Sequence, residues 1–201
     1  VWTNIIYIFV EIIKKSTTMK NLIATLILTV LTLVGFSQLE VPKNIDLNEV
    51  QKEFMILYKK RCDSLGHKIE EDNDLFVLSN CQSNYLNTLT DAKISHKQLN
   101  NQSLYSLKDR LHYFYPRYKE YLVQEGFEIS EVIAAYYDYN NLKNENNKNL
   151  AKELFTTLIN SEPHREIMDD KTKEQVNFVV GLNKSNAIFV VGVLSNQYIV
   201  K

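Results

Sequence analysis

This 201-residue chain is poor in the residues that mark several large protein classes. It holds three prolines, and with 45% hydrophobic and 23% charged residues it has the make-up of one ordinary globular domain, with no sign of a second. No run of lysine or arginine tracks a phosphate backbone, and the formal charge is -1, so nucleic acid is excluded as a partner. There is no glycine-rich phosphate loop, no internal repeat and no His-x-x-x-His spacing of the kind that makes a zinc site readable. Ser161 lacks the G-x-S-x-G elbow that would make it a nucleophile. Two cysteines, Cys62 and Cys81, leave two readings open: free buried thiols, or one bridge tying two neighbouring helices.

The N-terminal part is apolar in a different way. From Met19 the chain runs "MKNLIATLILTVLTLVGFSQ": a positive residue, an apolar stretch short of the about 20 residues a membrane span needs, then Gly35 and Ser37 spaced as in a cleavage site. This predicts a Sec signal peptide over residues 19–37, with residues 1–18 an upstream extension outside the fold and 38–201 a single domain. No cysteine follows the cleavage site, so a lipoprotein is not indicated. Removing residues 1–37 takes away Lys14, Lys15 and Lys20 against Glu11, which leaves the remainder mildly acidic. The expected location is secreted or periplasmic, with membrane contact only during export.

Beyond the leader, Val50, Phe54, Leu57 and Tyr58 recur at helical spacing before Gly66, and Leu75, Leu78, Cys81, Tyr85 and Leu89 line one face of a second helix. A short third helix carries Leu104, Leu107 and Leu111 up to Pro116. "GFEISEVIAAYYDYN" reads as an extended segment, and Leu150, Leu154, Phe155 and Leu158 mark a fourth helix. Two β-branched runs around "NKSN" predict a hairpin, and a last "YIV" could finish the sheet edge. Helices, a strand, a helix and a hairpin in that order predict an α+β domain with helices packed on an antiparallel sheet.

Three short pieces carry most of the chemistry: "ISH" ending at His96, "SEVIA" with Glu131, and "SEPHREIM" with His164 and Arg165. With Arg110 in "KDRL", Gly126-Phe127 and Gly181 in "VVGL", their order resembles the CAP superfamily (the SCP, antigen 5 and pathogenesis-related-1 domain) in its bacterial secreted form. The match spans about Asn48 to Leu194. The resemblance implies a three-layer α-β-α sandwich with a central antiparallel sheet, and a shallow cleft in which His96, His164 and Glu131 meet. Such a cleft can hold a divalent cation such as zinc, with His96 and His164 as its ligands. A second acidic position common in the family falls at Asn160 or Ser161 here, and Val132 stands where the family usually has asparagine.

The residue types suit that chemistry, since two neutral imidazoles and a carboxylate are an acceptable zinc set. Each residue also has a plainer reading. His164 sits in a sequence that starts a helix, with Ser161 as N-cap candidate, Glu162 in the first turn and Pro163 near the start. The positive end of that helix would keep the ring neutral, as a metal ligand must be. Glu131 could instead be a surface carboxylate, or a structural partner of Arg110 or Arg165. His67 and His112 read as surface or packing residues, and the 12 tyrosines mostly as half-buried packing. The expected function is an extracellular or periplasmic binding module for a lipid, peptide or cell-surface component. The alternative is a metal-dependent, peptidase-like hydrolase using the same cleft.

Overall fold

The computed structural model describes residues 41–90, 94–116, 126–137 and 144–199; the signal segment over 19–37 and the extension before it lie outside the described residues. Among the described residues, five helices and four strands follow in order: α1 (Leu47–Leu65), β1 (Glu70–Glu71), α2 (Asn73–Asn87), a 3-10 turn (Gln102–Leu104), α3 (Leu107–Phe114), β2 (Ile129–Tyr136), α4 (Asn147–Asn160), α5 (Glu162–Asp169), β3 (Gln175–Leu182) and β4 (Ile188–Ser195). The chain is α+β, as expected.

The strands form one sheet in the order β1-β3-β4-β2. β2, β4 and β3 pair antiparallel, while β1 adds a two-residue parallel edge on β3, so the sheet is mixed rather than wholly antiparallel. Strand alternation divides its side chains between two faces. Val132, Ala134, Val176, Phe178 and Val190 join Phe54 and Tyr58 of α1, Leu150 and Leu154 of α4 and Met168 of α5 in the largest core. Ile133, Phe189, Val191 and Val193 face the other way, against Leu75, Leu78 and Leu86 of α2 and Leu111 of α3. Helices therefore cover both faces of the sheet. By the same alternation Glu131, adjacent to Val132, belongs to the face covered by α2 and α3.

Both sheet glycines sit opposite a phenylalanine whose ring occupies the space a Cβ would need. Gly192 pairs with Phe178 and Gly181 with Phe189, on opposite faces. At Gly192 the ring belongs to a cluster in which Phe178 lies 4.8 Å from Phe54 and 5.2 Å from Tyr58, centroid to centroid. Such pairs add about 0.5–1.5 kcal/mol beyond the area they bury.

Local signals start and stop the helices. Asp46 accepts from the Asn48 and Glu49 amides, Asp72 from Asp74 and Asn146 from Asn149; Ser106 and Asp109 form a reciprocal capping box. Each such cap stabilises by roughly 1 kcal/mol. Gly66, with φ of 76°, ends α1 in the left-handed region that favours glycine. α5 departs from expectation: Ser161 occupies the N-cap position but its side chain makes no capping bond, and Pro163 in the first turn supplies the start instead.

Two further expectations change. Cys62 and Cys81 are both free, so the bridge between them is not formed. The reason is layering: Cys62 lies in the core between α1 and one face of the sheet, whereas α2, which carries Cys81, covers the other face. The terminal "YIV" makes no edge strand among the described residues; Ile199 is buried beside Leu75 and Val193, and β1 is the edge on the β3 side. The "NKSN" turn does form. Asn183 Oδ1 accepts from the amides of Ser185 and Ala187, and Asn186 takes a φ of 63°.

Candidate functional site

The site begins with a buried ion pair. Arg110, on α3, is fully buried and donates through one terminal nitrogen to Glu131 Oε1, whose side chain is 3% exposed. Its other terminal nitrogen reaches the carbonyls of His96 and Leu104, each at 3.4 Å. One guanidinium thus ties strand β2 to both ends of the loop that carries His96. A planar five-donor fork suits that task in a way a lysine ammonium does not.

The second Glu131 oxygen, Oε2, accepts from His96 Nδ1 at 2.9 Å. A carboxylate there selects the Nδ1–H tautomer and leaves Nε2 with its lone pair. His96 is half exposed, in contrast to the carboxylate that orients it. Of the alternatives for Glu131, the structure gives the Arg110 partnership together with the His96 contact; Arg165 instead donates to the Ile159 carbonyl at 3.2 Å.

His164 completes the group. It stands at the third position of α5, and its ring centroid is 6.1 Å from that of His96. Burial, and then its nearness to His96, push its pKa below the ordinary histidine value. α5 itself is fixed at its far end, where Arg61 of α1 makes two 2.5 Å bonds to Asp169 and Tyr58 donates to the Met168 carbonyl at 3.1 Å. The three residues singled out from sequence, His96, Glu131 and His164, are brought together.

Other residues fall elsewhere. Asn160, at the place of a second acid, is exposed at the end of α4. His112 is half-buried in the last turn of α3. His67 is buried, at 8% exposure, and neither of its ring nitrogens has a hydrogen-bond partner among the described residues.

Sequence reasoning missed the braces of the His96 loop. Gln82 donates to the Ser95 carbonyl at 2.5 Å, Gln98 donates to Gln82 Oε1 at 3.2 Å, and the Tyr85 hydroxyl accepts from the Leu99 amide. Gln82 and Gln98 are both buried. The signal was present: Gln82 stands seven residues after Leu75 and four after Leu78, a polar side chain on the core-facing stripe of α2.

Chemically, the group offers two imidazoles, one of them half exposed and oriented by a carboxylate that is itself anchored. A spacing of 6.1 Å between ring centroids is within reach of two imidazoles sharing one ion through bonds of about 2 Å. No group of three or more His, Cys, Asp or Glu side chains able to hold a metal occurs among the described residues. The nitrogen donors of the group are therefore His96 and His164, and Glu131 stands behind His96 rather than beside it.

No family model matches the chain, and no curated protein matches it. Among solved structures it is similar to an outer surface protein from Borrelia burgdorferi, with a TM-score of 0.52 and 15% identity, covering 76% of this chain and 96% of that one. At that identity the likeness concerns the fold, an α+β arrangement of helices about a sheet.

Proposed function

We propose that this chain is an exported, CAP-like binding module whose cleft holds a divalent cation between His96 and His164. The observation that carries this reading is the chain of contacts from buried Arg110 through Glu131 to His96 Nδ1, with the His164 ring 6.1 Å from that of His96. A buried arginine and a buried glutamate are costly to maintain, and here they fix the tautomer and position of one half-exposed imidazole. The leader-like segment over 19–37 supports export, as does the fold shared with an outer surface protein of Borrelia burgdorferi. No helix among the described residues is long and apolar enough to cross a membrane.

A hydrolase would need more. Catalytic zinc sites take three protein ligands and a base for the bound water. Both oxygens of Glu131 are engaged, and Asn160 and Ser161 add no acid. Binding is therefore the better-supported reading of the same cleft.

The test is a zinc titration followed by thermal unfolding of the purified protein. A ligand held only by the folded state stabilises it by about 2.7 kcal/mol at a hundredfold excess over its Kd. Zinc should raise the midpoint of the wild-type chain, and His96→Ala or His164→Ala should remove the rise. A wild-type midpoint indifferent to zinc overturns the cation site.

A further inference from the structure

One concavity lies outside the His96, Glu131 and His164 group and is not used by the cation reading. It is an open groove of about 460 Å³ between the outer face of α2, the 98–104 loop and the end of α3. That size is within the range of small-ligand sites. None of its twelve lining residues carries a charge, in a chain that is 23% charged. Phe76, Asn80, Asn84 and Thr88 follow one another at intervals of four along α2, so they form a single ladder on the groove wall. The carboxamides of Asn80, Asn84 and Asn100 make no hydrogen bond among the described residues. Phe76 and Phe114 rim the same groove with exposed rings.

We infer that this groove is a binding site for a neutral oligosaccharide. Each unengaged carboxamide offers two donors and an acceptor, which matches vicinal hydroxyls that themselves donate and accept. Exposed aromatic rings supply flat apolar faces for the C–H side of a pyranose. The absence of lysine and arginine disfavours phosphate, sulfate and acidic sugars. A lipid tail would cover Asn80, Asn84 and Asn100 without satisfying them, at the cost of their hydration. No strand edge lines the groove, so an extended peptide would find no backbone ladder to join. Asparagine is a poor helix former, and two of these side chains stand inside α2, where alanine would serve the helix better.

The experiment uses chitotriose, cellotriose and maltotriose as probes, with saturation-transfer NMR to detect binding and calorimetric titration to measure it. At least one should bind the wild-type protein. The double variant Asn80→Ala/Asn84→Ala should weaken it by roughly tenfold, through the loss of two hydrogen-bonding groups. The thermal midpoint of that variant should be unchanged or higher and its zinc response retained, so failure here is separable from failure of the cation site. Absence of binding by all three sugars overturns the inference, as does sugar binding that survives the double variant. Preferential binding of an uncharged peptide or of phosphatidylcholine vesicles at the same residues overturns it as well.

Discussion

Replacing Arg110 with methionine should destabilise the domain far more than an ordinary ion-pair deletion. Both partners are out of solvent, with the Arg110 and Glu131 side chains 0% and 3% exposed, so solvent screening does not soften the loss. The two 3.4 Å contacts to the His96 and Leu104 carbonyls are long and contribute little, about 0.5 kcal/mol each. Arg110 Nε has no partner among the described residues, so removing it relieves a small desolvation cost. The dominant effect is the carboxylate left behind, and stranding a buried charge costs about 3–5 kcal/mol. Against a total stability of about 5–15 kcal/mol this is a large fraction. With an m-value of about 2 kcal/mol per molar urea, the midpoint should fall by about 2 M. The double variant Arg110→Met/Glu131→Leu should recover most of that loss, because an apolar pair strands nothing. Urea unfolding of the two variants at neutral pH checks both outcomes, and the double variant stays informative if the single one fails to fold. A loss below about 1 kcal/mol in the single variant, the size expected of an exposed pair, would refute the picture of a desolvated clamp.

Acid should weaken the wild-type fold partly through His164. Its pKa in the folded state lies below its unfolded value, so the unfolded chain binds more protons as pH falls. The stability it contributes is complete above about pH 6.5 and is lost as pH drops through the lowered folded value. His164→Gln should flatten the midpoint-against-pH curve between about pH 7.5 and about pH 5, and an unaltered slope would remove His164 from the balance. Gly192→Ala should lower the thermal midpoint, by roughly 1–3 kcal/mol in stability, because its Cβ would enter the space of the Phe178 ring and lie 2.8 Å from Val132 Cγ2. Glu131→Gln should weaken zinc binding by about 10–100-fold, because the His96 ring loses the carboxylate that orients it, measured by zinc competition with a chromophoric chelator.

Elements with a strong period were legible in the sequence, and those made by pairing were not. The first and fourth helices, the extended segment around Val132 and the "NKSN" hairpin stand where their apolar spacing predicted, whereas the second helix ends at Asn87, before Leu89, and the third begins only at Leu107, with Leu104 in a separate 3-10 turn. β1 was invisible because Glu70 and Glu71 are both exposed and carry no apolar alternation; the parallel register with Gln175 and Val176 makes them a strand. α2 was half legible. Its apolar residues marked the face, but Ser79, Gln82 and Ser83 are buried on it too; Gln82 meets the His96 loop and Ser79 reaches Asn177 of β3, neither of which apolar spacing reveals. At the site, the three residue types and their order were readable from "ISH", "SEVIA" and "SEPHREIM", whereas their roles were not. Glu131 was one candidate among possible ligands, and only its two contacts show that it pairs with Arg110 and orients the His96 ring.

The position of the site follows from the layering. The His96 loop is braced by Gln82 and Tyr85 of α2 and Arg110 of α3, on one face of the sheet. α5, which carries His164, is anchored to α1 and packs Met168 and Ile167 into the core of the opposite face. Side chains from two such layers are separated by the sheet everywhere except beyond an edge. β2 is that edge, and it carries Glu131, the residue to which the His96 ring is bonded. A cation shared by His96 and His164 would then bridge two layers that otherwise communicate only through the sheet. This is why each histidine has its own brace: neither layer alone can set a spacing of 6.1 Å between them.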